Sequence, residues 1–373
     1  MRILYITHYS AYLGANRSLL TLVEGVMNTS GYEVMVFCPA EGEFTYELEK
    51  RRIPFRILKF KNWGYSNRSL NYWLFPLIWR RFMSQFFPGI IEEARAFSPD
   101  IIHSNSSVVS LGWQLAEMLN VRHIWHIREY GTAHYGIKFM RGEQFFYQKL
   151  QQADQLIFIS DAIKDYYLKR MPGYTRAIKI YNGVFNEKDI MPTQMEAPKY
   201  FLMLGMLHPS KGQEMAVRAM ELVSAKHPEI QLFLAGKGWK SYELKLNKLI
   251  SQLKLSAQIY LKGYIANPAP LYSGALATLV CSKFEGMGRV TAESMAYGVP
   301  VIGLNDGATT EIISDSKGGL LFDNYRELAN EMIRLLADNS LRNSLGTKGR
   351  EYALDNFTND QYISRILAVY KSI

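Results

Sequence analysis

Short apolar runs alternate with helical patterns along nearly the whole chain, and this alternation limits the folds that the chain can adopt. The first half has seven apolar runs of strand length: residues 2–7, 32–38, 55–60, 100–104, 122–127, 155–160 and 177–182. Most are separated by amphipathic stretches such as "SLLTLVEGVMN" and "SLGWQLAEML". Alternation of this kind predicts a parallel sheet with helices on both faces.

A polar, proline-bearing stretch at residues 186–198 is predicted to be a linker. The alternation then restarts, with apolar runs at residues 200–205, 230–236, 258–263, 277–282, 300–304 and 319–322. We therefore predict an α/β protein with two doubly wound, Rossmann-like domains, residues 1–185 and 199–356, which face each other across a cleft. The amphipathic segment 357–373 is expected to be a helix that crosses back to the first domain.

Composition limits the environment and the partners of the chain. Its two cysteines, Cys38 and Cys281, each lie in an apolar run, which favours buried residues in a reducing compartment. The N-terminus is not typical of a signal peptide, and apolar runs long enough to span a membrane are absent from the sequence, so a cytoplasmic location is predicted. The formal net charge of +9 suits an anionic partner without choosing among nucleotide, nucleic acid and acidic lipid.

The segment "FEGMGRVTAESMAYGVP", residues 284–300, has the pattern of a ligand-binding turn before a helix. Gly286 and Gly288 would let the backbone approach a ligand and present free N–H groups to an anion at the helix N-terminus. Glu285, just before the turn, and Glu293, on the helix, could accept hydrogen bonds from sugar hydroxyls and a ribose diol. Spacing alone also fits two solvated glutamates.

The surrounding segment, residues 270–313, resembles the donor-binding region of retaining glycosyltransferases of family 4, which have the GT-B fold. The resemblance rests on the pattern S-x-x-E-G-x-G-x-V-x-x-E-x-M-A-x-G-x-P-V, followed by a glycine loop and E-I-I. It implies that Glu285 holds the donor sugar and Glu293 the ribose. It further implies a turn lying against the sugar and diphosphate, formed by Gly286, Met287, Gly288, Arg289 and Val290.

A second segment, "FLMLGMLHPSKGQEMAVRAM", resembles the strand–G-R-L-x-x-x-K-G–helix segment of the same family. The resemblance implies that Lys211 points its ammonium at the diphosphate leaving group and that Gly205 permits close approach. Residue 206 is usually arginine in the family but is Met206 here, so one cation of the expected pair is missing. Arg289 is a candidate to compensate for it.

The first half carries two further landmarks of the family. "YLGANRSL" resembles the G-G-x-x-R loop after the first strand, which implies that Gly14 and Arg17 lie near the donor phosphate. The fifth strand of the family normally ends in a histidine–acid pair that touches the donor sugar. Spacing places Arg128 and Glu129 at this pair, whereas residue identity favours His126, which could equally be a packed strand histidine.

The resemblance predicts a retaining hexosyltransferase that moves a sugar from a nucleotide-diphosphate sugar to a glycan or lipid-linked acceptor, as in cell-surface polysaccharide or glycolipid synthesis. Because the sequence has no Asp-x-Asp, we expect no metal on the diphosphate and no other cofactor. Charge is the only argument for nucleic acid, so we do not expect it as a partner. A nucleotide-sugar 2-epimerase of the same fold and a non-catalytic nucleotide-sugar binder remain alternatives.

Residues 67–89, "NRSLNYWLFPLIWRRFMSQFFPG", combine aromatic and aliphatic residues with Arg68, Arg80 and Arg81. Such a segment could lie in a membrane interface, with aromatics at the headgroup boundary and arginines on anionic lipid. It predicts peripheral contact with the inner face of the membrane. The alternative is a helix hairpin interrupted by Pro76 and packed on the sheet.

Overall fold

The computed structural model describes residues 1–66, 74–190 and 200–373. The described residues form two compact units: Met1–Gly183 with Asn359–Ile373, and Val184–Thr358. Most of the predicted linker and the beginning of segment 67–89, including Arg68, lie outside the described residues.

The first unit contains a parallel sheet of seven strands among the residues described. Its strands are β1 (Arg2–Ile6), β2 (Glu33–Cys38), β3 (Phe55–Ile57), β5 (Ile101–Ser104), β6 (Arg122–Ile127), β8 (Gln155–Phe158) and β9 (Ala177–Lys179). They are arranged in the order β3-β2-β1-β5-β6-β8-β9. A separate antiparallel pair joins β4 (Gly64–Ser66) to β7 (Ile137–Phe139).

Helices of the first unit pack on its sheet. They are α1 (Gly14–Met27), α2 (Glu43–Lys50), α3 (Phe75–Phe97), α4 (Leu111–Leu119), α5 (Thr132–Tyr135), α6 (Gly142–Gln151), α7 (Asp161–Leu168) and the C-terminal helix α15 (Asn359–Ser372). A Cβ at Gly25 of α1 would lie 2.2 Å from Cδ1 of Ile363 of α15, so glycine at this position lets the two helices pack closely. The C-terminal helix therefore belongs to the core of the first unit.

Helix α3 differs from the predicted hairpin. Pro76 lies in its first turn, where a missing N–H costs nothing, so the helix begins there instead of breaking. The aromatic side chains Trp79, Phe82 and Phe86 are partly buried and pack against the core of the first unit. Because these aromatic side chains pack on the core, they do not form the exposed aromatic surface that the sequence suggested.

The second unit repeats the architecture. Its sheet contains β10 (Tyr200–Leu204), β11 (Gln231–Ala235), β12 (Ile259–Gly263), β13 (Ala275–Val280), β14 (Val301–Leu304) and β15 (Gly319–Phe322). Its helices are α8 (Gln213–Ser224), α9 (Lys240–Gln252), α10 (Ala269–Ser273), α11 (Arg289–Ala296), α12 (Gly307–Ser316), α13 (Tyr325–Ala337) and α14 (Asn339–Asn356). The order β12-β11-β10-β13-β14-β15 is parallel throughout, and the predicted α/β fold class is confirmed.

Candidate active site

The strand order of the second unit reverses between β10 and β13, and ligands of doubly wound sheets bind beyond the carboxyl ends of the strands at such a point. Two loops leave the sheet there, residues 205–212 and 281–288. Between them lies a pocket of about 110 Å³. It is lined by Met203, Leu204, Lys211, Leu279, Val280, Cys281, Ser282, Glu285, Gly288, Arg289 and Val290.

Lys211 and Glu285, one on each of the two loops, form an ion pair in the pocket. Lys211 Nζ donates to Glu285 Oε2 at 3.0 Å, and the two side chains are 34% and 20% exposed. Burial, the largest single influence, raises the pKa of the Glu285 carboxyl, but the groups that stabilise its charge, the Lys211 ammonium first among them, together hold this pKa below its usual value. Hydrogen bonds from Ser282 and the Gly288 backbone lower it further. Glu285 is therefore a charged acceptor at neutral pH.

The loop before α11 is held in an unusual conformation. Gly288, the N-cap residue of α11, has a φ of +71°, and so does not incur the strain that a side chain would. Phe284 has a φ of +55° although it is bulky and 42% exposed. Its backbone N–H donates to Asp306 Oδ1 at 2.6 Å, and the Glu285 carbonyl accepts from the Ala308 N–H at 3.0 Å. These two bonds fix the backbone of Phe284 and Glu285 against the residues that follow β14.

Gly212, directly after Lys211, brings the loop of residues 205–212 against the end of β13. It has a φ of +74°, and a Cβ there would lie 2.4 Å from the Cys281 carbonyl oxygen. Gly205 also has a positive φ, +139°, but the space that a Cβ would occupy there is open, with nothing within 4 Å. The loop that carries Lys211 can therefore lie directly on the end of β13 only because residue 212 is glycine.

Glu293 faces a tyrosine on a neighbouring helix. Tyr272 Oη donates to Glu293 Oε2 at 3.2 Å, and Arg289 Nη1 lies 3.8 Å from Glu293 Oε1. Tyr272 is fully buried and stacks on Tyr297, with ring centroids 4.9 Å apart. Burial, and then the Glu293 charge, raise the pKa of Tyr272 well above its usual value, so it stays a neutral donor.

Arg289 and Met206 have different surroundings. Arg289 lines the pocket, and its Nη1 also donates to the Val184 carbonyl at 3.3 Å. The Met206 side chain is 53% exposed, while its carbonyl accepts from Gln213 Nε2 at 2.9 Å. Of the other turn residues, Val290 lines the pocket, Gly286 is partly buried and Met287 is buried.

At the carboxyl ends of β5 and β6 in the first unit, Glu129 is held by two serines. Glu129 Oε1 accepts from Ser106 Oγ at 2.7 Å, and from the backbone N–H and Oγ of Ser107 at 2.8 and 2.5 Å. Glu129 as a whole residue is partly exposed. These bonds orient Glu129 and leave it accessible.

His126 instead lies inside the first unit. Its ring is fully buried, with Nδ1 3.2 Å from His103 Nε2 and 3.3 Å from Arg128 Nη2. Burial, and then the charge of Arg128, lower the pKa of His126 well below its usual value. His126 is thus buried within β6, and which of His126 and Glu129 contacts the donor sugar stays a prediction.

Arg128 organises this buried network. Its Nε donates to Asn105 Oδ1 at 2.7 Å, Nη1 donates to Asn182 Oδ1, and Nη2 donates to Tyr362 Oη at 3.1 Å. These contacts tie α15 to the ends of the strands. Arg128 and Glu129, although adjacent, therefore have separate environments.

The loop before α1 is ordered by an asparagine. Gly14 is the first residue of α1, with nothing within 4 Å of the position of a Cβ, and Arg17 is exposed with its guanidinium 5.3 Å from the Tyr12 ring centroid. The buried Asn16 Nδ2 donates to the carbonyls of Tyr9 and Ala11 at 2.8 and 2.9 Å. The structure thus places Gly14 and Arg17 in the first turn of α1, and their position near the donor phosphate stays a prediction.

Sequence reasoning missed Tyr272, Asp306 and the two serines that bind Glu129. Tyr272 lies 21 positions before Glu293, and Asp306 lies 22 positions after Phe284. No local periodicity connects such pairs, and only the folded arrangement of the strands, helices and loops brings them together. Within residues 1–66, 74–190 and 200–373, no group of three or more His, Cys, Asp or Glu residues could hold a metal ion, and no helix is long and apolar enough to cross a membrane.

In a comparison with known proteins, each half of the chain matches a glycosyltransferase family profile. The profile described as Glycosyltransferase Family 4 matches residues 12–187, and the profile described as Glycosyl transferases group 1 matches residues 186–352. The poly(glycerol-phosphate) alpha-glucosyltransferase of Bacillus subtilis is 27% identical over 247 residues, 64% of this chain and 36% of that protein. The poly(ribitol-phosphate) alpha-N-acetylglucosaminyltransferase of Staphylococcus aureus is 21% identical over 242 residues, 63% of this chain and 47% of that protein. The aligned part is thus less than half of each of these two relatives.

A solved structure supports the same assignment at the level of the fold. The crystal structure of HepE from Anabaena in complex with UDP has a TM-score of 0.82 at 18% identity, and the match covers 100% of both chains. The two family profiles together extend from residue 12 to residue 352, over both doubly wound units. The chain is therefore a glycosyltransferase, a member of the group 1 enzymes with the GT-B fold.

Proposed function

We propose that this enzyme is a retaining, metal-independent hexosyltransferase that uses a nucleotide-diphosphate sugar. The observation that carries the proposal is the Lys211–Glu285 pair, placed at the switch point of the second sheet beside the N-terminus of α11. A charged carboxylate can accept from sugar hydroxyls, while an ammonium and free helix N–H groups suit a diphosphate.

The polar groups of the pocket, and Glu293 next to the lining residue Arg289, then each have a role. Glu285 accepts from the donor sugar, and Glu293, oriented by Tyr272, accepts from the ribose diol. Lys211 and the first N–H groups of α11 neutralise the diphosphate. Arg289 lines the pocket and supplies the second cation that Met206 does not.

The transfer follows from these positions. The acceptor oxygen forms a bond to the anomeric carbon as the bond from this carbon to the diphosphate oxygen breaks on the same face. The proton of the acceptor hydroxyl passes to the leaving diphosphate, whose developing charge Lys211 and Arg289 stabilise. In the first unit, Glu129 is accessible and His126 is not, so we assign substrate contact to Glu129.

A uridine diphosphate sugar is our first choice of donor. HepE, which shares the fold, was crystallised with UDP and with UDP-glucose, and the two bacterial relatives are named as a glucosyl- and an N-acetylglucosaminyltransferase. A thermal-shift panel of UDP, GDP, ADP and CMP sugars tests this choice. We expect the UDP sugars to raise the Tm most; a larger rise with another base would contradict the choice of donor.

Metal independence has a separate test. The sequence lacks Asp-x-Asp, and Lys211 with a helix N-terminus supplies positive charge at the proposed diphosphate site. Transfer should therefore persist in excess EDTA. Complete loss of transfer that Mg²⁺ or Mn²⁺ restores would show that a metal carries this charge.

We further propose a lipid-linked acceptor and contact with an anionic membrane surface through α3. The exposed side chains on this helix include Leu77 and Ile78, which are 68% and 46% exposed, and the neighbouring Arg80 and Arg81. Because the aromatic residues of α3 pack on the core, the aliphatic pair replaces them as the inserted group. Two relatives are named as transferases for poly(ribitol-phosphate) and poly(glycerol-phosphate). If the protein does not bind membranes, a soluble anionic acceptor is therefore the better proposal.

A further inference from the structure

A second pocket lies in the second unit, away from the carboxyl edge of its sheet. It has a volume of about 460 Å³, in the range of sites for small molecules. One wall is α14 and the other is the turn from α11 to β14. It is lined by Tyr297, Gly298, Pro300, Arg342, Asn343, Gly346, Thr347, Arg350, Glu351 and Leu354.

Arg342 is buried in this pocket, and no carboxylate of the described residues forms an ion pair with it. It is 8% exposed, its Nη1 donates to the Leu335 carbonyl at 3.1 Å, and its Nε has no hydrogen-bond partner among the described residues. No ion pair of the described part of the chain includes Arg342 or Arg350. A buried guanidinium with unused donors costs free energy unless an anion accepts hydrogen bonds from these donors.

The other residues that line the pocket indicate the chemical class of its ligand. Arg350 Nη1 donates to the Ala296 carbonyl, so each guanidinium uses one donor on a helix end and keeps others for a ligand. Guanidinium groups match phosphate geometry, whereas the Asn343 amide, the Thr347 hydroxyl and the Glu351 carboxylate match hydroxyl groups. The chemistry suits a small phosphate ester that also carries hydroxyls.

A short relay connects this pocket to Glu293. Tyr297 lines the pocket and stacks on Tyr272 with an interplanar angle of 13°, and Tyr272 donates to Glu293 Oε2. A ligand that shifts Tyr297 would move the hydroxyl that orients Glu293. We infer that the pocket of Arg342 and Arg350 is a second ligand site, for a small hydroxylated phosphate ester, whose occupancy changes nucleotide affinity at Glu293. The coupling, but not the site, rests on the proposed role of Glu293.

Calorimetric titration with glycerol 3-phosphate tests the site, with inorganic phosphate and glycerol as comparison ligands. Binding of glycerol 3-phosphate, weaker binding of phosphate and none of glycerol are expected. Thr347→Glu should weaken binding roughly tenfold, because a carboxylate three positions before Arg350 on α14 would compete with the phosphate for the guanidinium. Ser344→Glu makes the same charge change at an exposed position of α14 that does not line the pocket, and should leave binding unchanged. Equal effects of the two substitutions, or no binding by the wild type, would overturn the site.

Two further variants separate this site from the donor site. Lys211→Met should weaken binding of nucleoside diphosphate and leave glycerol 3-phosphate binding intact; loss of both would assign glycerol 3-phosphate to the donor pocket and overturn the proposal. In the wild type, each ligand should change the affinity of the other by the same factor. Tyr297→Leu should abolish this mutual effect while both ligands still bind. Binding of both ligands with no mutual effect in the wild type would overturn the coupling.

Discussion

The ammonium of Lys211 stabilises a carboxylate that is four-fifths removed from solvent, in addition to its proposed role at the diphosphate. We expect Lys211→Met to lower the free energy of unfolding by about 1–2 kcal/mol, between the values for exposed and buried ion pairs. Lys245→Met is the matched control, because Lys245 pairs with Glu214 at 2.7 Å but is 62% exposed. Urea unfolding measures both variants, and equal losses would mean that the Lys211–Glu285 pair behaves as a surface pair.

Phe284 carries the strain of the loop beside Glu285. At an ordinary position alanine is more stable than glycine, but a φ of +55° penalises any Cβ. The free energy of unfolding of the Phe284→Gly variant should therefore be about 1 kcal/mol higher than that of Phe284→Ala. At Tyr264, an exposed loop aromatic outside the positive-φ residues described, the order of the same two substitutions should be reversed. Alanine more stable than glycine at both positions would show that the loop relaxes in solution.

The sequence predicted these residues unevenly. Glu285, Lys211, Arg289 and Val290 were expected in one site from the family pattern, and they do line one pocket. The left-handed φ of Phe284 was not expected, because glycines on its C-terminal side offered a simpler turn. The hydrogen bond from its N–H to Asp306, a residue on the next loop of the sheet edge, fixes this conformation.

At the scale of the element, strands β5 and β6 bury three histidines: His103, His123 and His126. Burial is the main cause that lowers their pKa values, to about 3 for His123. Because the unfolded chain binds protons near the ordinary value of about 6.5, their contribution to stability is complete above this pH and is lost as the pH falls toward 3. Each histidine should cost about 1.4 kcal/mol of unfolding free energy per pH unit in this window.

Tryptophan fluorescence can follow this loss, since Trp63, Trp113 and Trp125 lie in the first unit. His123→Gln should reduce the pH dependence by about one proton. A pH dependence unaffected by His123→Gln would mean that His123 titrates normally in the folded protein.

Helix α3 gives the second prediction at this scale. Cosedimentation with anionic liposomes should be salt-sensitive and weakened by Arg80→Glu with Arg81→Glu, because each basic side chain near an anionic surface contributes about 1 kcal/mol. Arg95→Glu reverses a charge at the other end of the same helix and should have little effect. Absence of binding at low salt would favour a soluble acceptor.

At the scale of the whole molecule, the strands were the most predictable elements. Every apolar run singled out in the sequence overlaps a strand of the two parallel sheets, because strands buried on both faces need continuous apolar residues. The pair of β4 and β7 could not be predicted, since each has three residues and the partners are distant in sequence. The network of Arg128 likewise depends on α15, which meets β6 only in the folded chain.

We propose that the second unit binds a nucleotide-diphosphate sugar through two carboxylates with different tasks: Glu285, which lines the pocket, and Glu293, which lies next to the lining residue Arg289 on α11. Isothermal titration of UDP and of UDP-glucose into the wild type, Glu285→Ala and Glu293→Ala tests it most directly. Glu293→Ala should weaken both ligands by about 1.5–3 kcal/mol, the range for hydrogen bonds to a charged group. Glu285→Ala should leave UDP binding unchanged and weaken only the intact UDP-glucose. Wild-type affinity of both variants for both ligands would contradict the account.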